Sequence, residues 1–163
     1  MIRKAVKADS QSIAKIYNHY IQSTVITFEE ARLSTVDIEN RIDKTNALKL
    51  PWFVAEENDV VIGYAYAAPF KERTAYRFSV EVTVYLAEQV TAKGWGNKLY
   101  ECLFRELRTL PIHSAIAGIT LPNPASIALH EKFGMEKVAH FHEVGYKFEQ
   151  WLDVGYWQGK IET

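Results

Sequence analysis

The segment Arg77–Leu86 most constrains how this chain can fold, because its residues alternate in polarity along its whole length. Such a period of two predicts a β-strand with two different faces. The apolar face carries Phe78, Val80, Val82, Val84 and Leu86, and the polar face carries Arg77, Ser79, Glu81, Thr83 and Tyr85. A glycine-containing turn at Ala92–Gly96 and a helix from about Asn97 to Leu110 follow directly. We therefore expect this strand to be central in a sheet.

The N-terminal half predicts two helices and a β-hairpin. Helix starts are indicated at Asp9 and at Ser34, where Asp37 completes a capping-box pattern. Asn58 and Asp59 give a hairpin signal. The predicted elements are a strand at Ile2–Val6, a helix after Asp9, an extended segment at Thr24–Phe28, a helix from Ser34 towards Lys44, and strands at Trp52–Glu56 and Val60–Ala67.

The C-terminal half alternates between strand and helix patterns. The predicted elements are a strand at Ala115–Thr120, a helix at Pro124–Phe133 ended by Gly134, and strand-like alternation from Met135 through Val144 and over Phe148–Val154. Hairpins early in the chain and strand–helix–strand order late in the chain predict a mixed sheet with helices on both faces. No linker or repeat interrupts the 163 residues, so we expect one domain over residues 1–163.

Charge and cysteine content exclude several classes of protein. Nineteen basic residues (Lys and Arg) and twenty acidic residues (Asp and Glu) give a net charge of −1. Nucleic-acid binders, in contrast, carry a basic excess. The single cysteine, Cys102, excludes an internal disulfide framework and suits a reducing cytoplasm. No apolar run approaches the roughly 18 residues of a membrane span. We expect a cytoplasmic protein without nucleic-acid or membrane partners.

Glu81 stands in the middle of the polar face of the central strand. A carboxylate inside a sheet costs free energy unless it is paired or lies in a solvated cleft. In a cleft, desolvation raises the pKa of a carboxyl group towards a value useful for a general base. The alternative is an edge strand whose polar face meets solvent.

The turn Gly94-Trp95-Gly96 precedes a helix, and Lys93 and Lys98 flank it. A helix N-terminus offers free N–H groups and a positive dipole end to a phosphate. The pattern is not a dinucleotide-binding fingerprint, because its third glycine is missing, and it is not a P-loop, because no Gly-Lys-Ser/Thr occurs. A plain tight turn is the alternative.

The third candidate segment is the helix that follows Asn123. Ser126 and His130 are four residues apart, so they share one helix face, and Asn123 lies at the helix start. A single histidine on a helix is more often structural than catalytic, so this segment alone does not identify a site.

These three segments, in this order, resemble the GCN5-related N-acetyltransferase (GNAT) superfamily. Longer stretches spread over nearly the whole chain are similar to the phosphinothricin and methionine sulfoximine/sulfone N-acetyltransferase family. They are Ile16–His19, Thr27–Glu30, Ala75–Glu81, Ser126–Glu131 and Lys147–Asp153. The resemblance implies the GNAT fold of the α+β class, in which a mixed, mostly antiparallel sheet is splayed at the acetyl-CoA site and carries helices on both faces.

The resemblance also implies roles for individual residues in an acetyl-CoA site without metal. Glu81 matches the catalytic glutamate, and His130 falls where many members have the tyrosine that protonates the leaving thiolate. Backbone groups of Val84, Tyr85 and Leu86 would hold the pantetheine arm. Further contacts with acetyl-CoA would come from Ala92, Lys93, Gly94, Trp95, Gly96, Asn97, Asn123 and Ser126.

On the substrate side, the resemblance implies direct acetylation of the α-amino group of a small amino-acid analogue. Tyr76 and Arg77 correspond to the pair that contacts this substrate, and Phe28, Glu29 and Glu30 would lie in the loop that covers it. Arg77 has the bidentate geometry that suits a carboxylate or phosphinate. The family resemblance also favours a homodimer.

One position departs from the superfamily pattern. Thr91 stands where the phosphate turn usually has arginine or glutamine, so a long polar side chain is lost there. Lys93 offers electrostatic compensation, and the backbone donors of the turn remain.

Two other functions compete with this hypothesis. The first is an N-acetyltransferase for another small amine or for protein lysines. The second, from a different class, is a non-catalytic acyl-CoA-binding module. The presence of Glu81 together with His130 favours an enzyme over the binding module, because a pure binding module needs neither residue.

Several remaining residues receive structural interpretations. Cys102 falls on the apolar stripe predicted for its helix (Leu99, Cys102, Leu103, Leu107 and Leu110), so we expect it to be buried and not a nucleophile. His140 and His142 share a strand face, but the sequence offers no third metal ligand nearby, so we expect stacked imidazoles at the surface or at an interface. Trp151, Tyr156 and Trp157 fit a core or a dimer interface.

Overall fold

The computed structural model describes residues 1–162, which form one seven-stranded sheet with helices on both faces. The strands are β1 (Ile2–Lys4), β2 (Trp52–Glu57), β3 (Val60–Pro69), β4 (Ser79–Leu86), β5 (Ser114–Thr120), β6 (Glu136–Lys147) and β7 (Gln150–Lys160). The helices are α1 (Ser10–Ser23), α2 (Thr35–Ala47), α3 (Trp95–Leu107) and α4 (Pro124–Lys132), and short 3-10 turns lie at Lys7–Asp9, Thr74–Tyr76 and Glu88–Val90. The prediction of mixed α and β structure is confirmed.

The sheet is mostly antiparallel, with one parallel pair at its centre. Its strand order is β1-β2-β3-β4-β5-β7-β6, and only β4 and β5 run parallel among the pairs of the described chain. The strand predicted to be central, now β4, lies between β3 and β5. Its first residue is Ser79, because Arg77 ends the preceding 3-10 turn.

The centre of the sheet opens where β4 and β5 separate. β4 pairs with β3 from Val80 to Leu86, but it pairs with β5 only from Ser79 to Glu81 within residues 1–162. Beyond Glu81 the facing strand edges diverge, and their backbone N–H and C=O groups need partners other than each other. The predicted splay of the sheet is therefore confirmed.

Each face of the sheet has its own hydrophobic core. On one face, α3 buries Leu99, Tyr100, Leu103, Phe104 and Leu107 against the central strands. On the other face, α1 and α2 bury Ile13, Ile16, Ile21, Ile38 and Ile42 against β2 and β3. The prediction of helices on both faces is confirmed.

The expected burial of Cys102 is wrong. The side chain is only partly buried, and its Sγ lies 3.4 Å from Nη2 of Arg105 at the helix surface. At about 100° per residue, Cys102 points roughly 100° away from the middle of the face that Leu99 and Leu107 define. Tyr100 and Phe104 occupy that face instead.

Local signals predicted some turns correctly and others not. The Ser34–Asp37 capping box is present, with the amide of Asp37 donating to Oγ of Ser34 at 3.1 Å. Asn58 and Asp59 adopt left-handed φ angles of 51° and 63°, as the hairpin signal requires. Asp9 does not cap α1 through its side chain, because its carboxylate accepts from Arg3 and from the amide of Val6.

Two segments differ from the predicted strands. Within the segment predicted to be extended, residues 25–27 form bends, because side chains from other elements, described below, hold the backbone there. Phe148 and Glu149 form the turn between β6 and β7, with φ angles of 52° and 59°, although neither is a typical turn residue.

Trp157 is 2% exposed in the core, whereas Trp151 is 63% exposed on the β6–β7 hairpin. None of the helices in residues 1–162 is both long and apolar enough to span a membrane.

Candidate active site

A cavity of about 580 Å³ opens at the point where β4 and β5 separate. Its walls come from β3 to β7, from α1, α3 and α4, and from the segment that follows α1. The lining includes Thr27, Phe28, Tyr66, Glu81, Thr83, Val84, Tyr85, Tyr100, Asn123, Ser126, His130, Phe141, Val144 and Tyr156. Among the residues in this lining, none is a lysine or an arginine. The site therefore has a carboxylate, an imidazole and several phenols, but no fixed cation.

Glu81 occupies the fork between the two strands. It pairs with Ile116 and is the last β4 residue that pairs with β5. Burial raises the pKa of Glu81 above its ordinary value, and the positive charge of Lys71 opposes that shift. A carboxylate with a raised pKa can accept a proton from a nearby group at close to neutral pH.

His130 is held in a buried contact with Tyr100, at 4% exposure. Its Nδ1 lies 2.7 Å from the carbonyl oxygen of Ser126, which can only accept, so Nδ1 carries the proton of the neutral ring. Nε2, at 2.8 Å from Oη of Tyr100, then accepts the hydroxyl proton. Burial lowers the pKa of His130, so the neutral ring is favoured. The hydroxyl of Tyr100 therefore donates to His130, and both residues line this side of the cavity.

Tyr100 is the site residue that the sequence reasoning missed. It lies in α3 next to Leu99, on the buried face of the helix, and its ring packs edge-on against Phe104 and Phe133. A tyrosine on a buried helix face needs a partner for its hydroxyl group. That requirement was the available signal, but the partner, His130, is thirty residues away in the chain (|i−j| = 30).

The start of α3 fits an anionic group. Gly94 precedes the helix with a left-handed φ of 80°. Because glycine has no side chain, it leaves the first N–H groups of the helix uncapped. Ala92 is also left-handed, at 61°, so the backbone curls tightly towards the helix. Lys98 lies over the Trp95 ring at 4.6 Å, and Oδ1 of Asn97 is buried without a partner in the described residues. Free N–H groups at a helix start are a typical phosphate site.

The backbone groups predicted to hold the pantetheine arm are placed differently from one another. Val84 and Tyr85 line the cavity, beyond the paired part of β4 and β5. The carbonyl of Leu86 already accepts from Oη of Tyr20 at 2.6 Å.

Asn123 caps α4 by accepting from the amide of Ser126 at 3.2 Å, and both residues line the cavity. Thr91 donates its hydroxyl to Glu88 at 3.0 Å, which ties it to the preceding turn.

Of the residues predicted to bind the amine, the structure brings Phe28 to the cavity. Glu29 is outside the lining, where Arg41 and the hydroxyl of Tyr17 hold its carboxylate. These contacts lower the pKa of Glu29, against the effect of its burial. Glu29 therefore fixes the segment that carries Phe28.

Tyr76 and Arg77 also lie outside the cavity that contains Glu81. Tyr76 packs edge-on against Phe70, and the guanidinium of Arg77 stacks on Phe78 at 4.3 Å. Arg77 faces a neighbouring cavity of about 740 Å³ instead. That second cavity is basic, since Arg41, Lys44, Lys49, Lys71, Arg73 and Arg77 line it with Glu72. Tyr66 lines both cavities.

His140 and His142 stack as expected, with ring centroids 4.3 Å apart and planes 25° from parallel. The expectation that no third ligand lies nearby is wrong, because Asp153 on the paired strand contacts both rings at 2.7 and 3.1 Å. The carboxylate of Asp153 also accepts from the amide of Glu143, and these contacts lower its pKa to about 2. Asp153 thereby binds the irregular part of β6, between Phe141 and Gly145, through the amide of Glu143 and the ring of His142.

Comparisons with known proteins agree with this geometry. An acetyltransferase (GNAT) domain model matches residues 2–155. The chain is 38% identical to the phosphinothricin N-acetyltransferase of Streptomyces viridochromogenes, over 99% of this chain and 87% of that protein. It is also 38% identical to the L-methionine sulfoximine/L-methionine sulfone acetyltransferase of Salmonella typhimurium, over 99% and 94% of the two chains.

The structural comparison gives the same family. A phosphinothricin acetyltransferase of the GNAT superfamily from Sinorhizobium meliloti, solved in complex with acetyl-CoA, superposes with a TM-score of 0.96. It is 37% identical, and the match covers 99% of this chain and 88% of that one. The predicted GNAT fold is therefore confirmed. The chain belongs to the GNAT acetyltransferase family and is an enzyme that takes acetyl-CoA as its co-substrate.

Proposed function

We propose that this enzyme acetylates the α-amino group of a small amino-acid analogue of the phosphinothricin, methionine sulfoximine or methionine sulfone type. The names of the relatives support this substrate class. The observation that carries the proposed chemistry is the position of Glu81 at the fork of β4 and β5, inside the cavity and with a raised pKa.

Glu81 acts as the general base in this proposal. An α-amino group has a pKa near 8, and a neighbouring carboxylate raises it further, so the amine is mostly protonated at neutral pH. Glu81 takes one proton, directly or through a water molecule. The amine nitrogen then attacks the thioester carbonyl carbon, so that a C–N bond forms and the C–S bond breaks. N–H groups on the open edge of β4 stabilise the charge that develops on the thioester oxygen.

The departing thiolate needs a proton, since its pKa is near that of cysteine, about 8.5. Tyr100 supplies it in this proposal, with His130 behind it. Tyr100 and His130 both line the cavity and share a hydrogen bond, and the second proton released by the amine nitrogen restores this pair. Of the two protons that the amine loses, one leaves through Glu81 to water, and the other replaces the proton that Tyr100 gives to the thiolate.

Arg77 stays the predicted partner of the substrate carboxylate or phosphinate. The wall of the Glu81 cavity has no cation, and Arg77 belongs to the basic cavity beside it, which shares Tyr66. We expect Arg77→Ala to raise KM for amines that carry an acidic group, without changing KM for acetyl-CoA. Steady-state kinetics with and without an acidic group on the amine measure this. An equal loss for both kinds of amine would remove Arg77 from substrate recognition.

The homodimer also stays a prediction. Tyr146, Phe148 and Trp151 place a cluster of exposed aromatic rings on the β6–β7 hairpin. Light scattering on the wild type and on Trp151→Glu tests whether a second copy covers this surface.

The direct test of the proposed function is the release of CoA thiol from acetyl-CoA with a panel of amines. The panel contains phosphinothricin, methionine sulfoximine, methionine sulfone, plain methionine and a lysine peptide. We expect turnover with the first three. Turnover confined to the lysine peptide would favour a protein acetyltransferase. Binding of acetyl-CoA without turnover on any amine would favour a binding module and would remove the catalytic role of Glu81.

A further inference from the structure

Residues 24–33, called the covering segment, close the amine end of the cavity without forming a helix or a strand. Ile26, Thr27 and Phe28 contribute to the lining. A segment without regular backbone hydrogen bonds keeps one position only if other groups hold its polar backbone atoms. The side chains that hold this segment therefore set the shape of the amine end.

Two helices hold the covering segment from one side. Tyr17 on α1 contacts Oγ1 of Thr27 at 2.7 Å. Asn18, also on α1, donates to the carbonyl of Leu33 and accepts from its amide, both at 2.8 Å. On α2, Arg41 pairs with Glu29. These contacts fix the middle and the end of the segment.

Lys147 holds the start of the segment from the opposite side. It lies at the end of β6, its side chain is 2% exposed, and Nζ donates to the carbonyl oxygens of Thr24 and Thr27, both at 2.8 Å. No carboxylate within residues 1–162 forms an ion pair with it, although the negative charge of Glu30 acts on it and opposes the lowering of its pKa by burial. A buried ammonium without a carboxylate partner is costly unless hydrogen bonds compensate it. The two carbonyls of the covering segment provide that compensation.

Gly145 provides the seat for Phe28 on the same strand. A Cβ atom at Gly145 would overlap the ring of Phe28. Gly145 and Lys147 are two residues apart in β6, so they face the same side of the strand. Gly145 therefore receives the ring of Phe28, and Lys147 binds two carbonyls that precede Phe28 in the chain.

The same strand also forms part of the cavity wall. Phe141 and Val144, earlier in β6, line the cavity. The contacts of Gly145 and Lys147 therefore fix the distance between two walls, the covering segment and β6. Lys147 itself is outside the lining and does not reach the reacting atoms.

We propose that Lys147, with Gly145, sets the width of the amine end of the cavity and is a specificity-determining positioning residue. The proposal rests on the proposed function, because it assumes that a small amine occupies this end. Without Lys147, the covering segment moves away from β6 and Phe28 leaves Gly145. A small amino-acid analogue then loses packing, and bulkier amines gain access.

The first variant is Lys147→Met, which keeps the length of the side chain and removes its donors. The matched control is Lys160→Met, because Lys160 is exposed at the end of β7. Lys147→Arg keeps charge and donors and should restore part of the wild-type behaviour. Hydrogen–deuterium exchange of residues 24–33 reports the position of the segment without any substrate.

In Lys147→Met we expect amide exchange in residues 24–28 to rise at least about tenfold, while α3 exchanges as in the wild type. We expect KM for methionine sulfone to rise about tenfold, because the displaced segment packs less closely on the substrate. The values of kcat and of KM for acetyl-CoA should stay within about twofold, because positioning, not chemistry, is affected. The ratio of kcat/KM for a bulky aromatic amino acid to that for methionine sulfone should rise.

A second pair of variants tests the seat, also in case Lys147→Met folds poorly. Gly145→Ala displaces the ring of Phe28, and Phe28→Ala in the same chain removes the overlap. We expect the double variant to show lower segment exchange than Gly145→Ala alone.

The outcomes separate the two proposals. Unchanged exchange in Lys147→Met would overturn the positioning role, whatever the kinetics show. Raised exchange with an unchanged KM and an unchanged substrate ratio would overturn the link to specificity. If the wild type acetylates none of the amines, the proposed function fails and the specificity role with it. The exchange data then still decide whether Lys147 holds the segment.

Discussion

The two ends of the cavity are built in different ways. At the end proposed for acetyl-CoA, regular elements supply the groups: the open edge of β4, the start of α3 and the start of α4 with Asn123. At the amine end, an irregular segment is held by Tyr17, Arg41 and Lys147, which come from three different elements. The first end presents backbone groups of helix starts and of a strand edge, whereas the second is held in place by side chains from distant parts of the chain.

This difference has a consequence for how each end tolerates change. Backbone donors at a helix start do not depend on which side chains surround them. The covering segment depends on a few side-chain contacts, each of which one substitution can remove. We therefore expect changes at the amine end to alter specificity, and changes at the β4–β5 fork to alter the chemical step.

The largest expected effect sharpens this comparison at the fork. Glu81→Gln keeps the size of the side chain but cannot accept a proton, so we expect kcat to fall at least about a hundredfold, the lower range for a general base. Binding of acetyl-CoA should be unchanged, as calorimetry can measure. Glu88→Gln, at an exposed position in the turn after β4, is the control and should keep wild-type turnover. Near-normal turnover of Glu81→Gln across the pH range would exclude the base role.

The next effect concerns the proton donor on the other side of the fork. Tyr100→Phe keeps the ring packing against Phe104 and removes the hydroxyl that contacts His130. We expect kcat to fall about tenfold to a hundredfold, because acid catalysis is weakened while the second amine proton remains available. Tyr64→Phe, a buried tyrosine outside the cavity lining, is the matched control. If both variants lower kcat equally, Tyr100 has only a structural role.

The same contrast explains what the sequence could predict. Period-two alternation located β4, and the capping box located α2, because these signals depend on residues close together in the chain. Resemblance and spacing predicted Glu81, Asn123 and His130 as site residues, and in the structure all three line one cavity. All three lie at or near the ends of regular elements that local patterns identify.

Residues that depend on distant partners were not predicted. The partners of Lys147 are more than a hundred residues away (|i−j| of 123 and 120), and those of Tyr100 are thirty (|i−j| of 30). Asp153 joins His140 and His142 only because β6 and β7 pair with an irregular register. A one-residue change in that register would separate these side chains, and no local pattern indicates where the irregularity falls.

A smaller effect tests the electrostatics of the fork. Burial raises the pKa of Glu81, and Lys71 opposes this shift. Because the ionised form is the base, kcat/KM should fall on the acid side as pH drops through the raised pKa, which lies above the ordinary 4.5. Lys71→Gln removes the opposing charge, so this acid limb should move to higher pH by less than about one unit. Lys71→Arg should leave it in place, and a limb that moves to lower pH would contradict the assignment to Glu81.

The smallest effect tests whether stability and specificity are separate at the amine end. Ser34→Ala removes the cap of α2. We therefore expect the free energy of unfolding to fall by about 1 kcal/mol and Tm to fall by about 2–4 °C. Because Arg41 still binds Glu29 from the middle of α2, KM for the amine should be unchanged. Thr35→Ala, at the next residue, is the control and should show a smaller fall in Tm by calorimetry. A raised KM in Ser34→Ala at a temperature where it is fully folded would show that the helix start itself, and not only the side chains of Arg41, Tyr17 and Lys147, positions the covering segment.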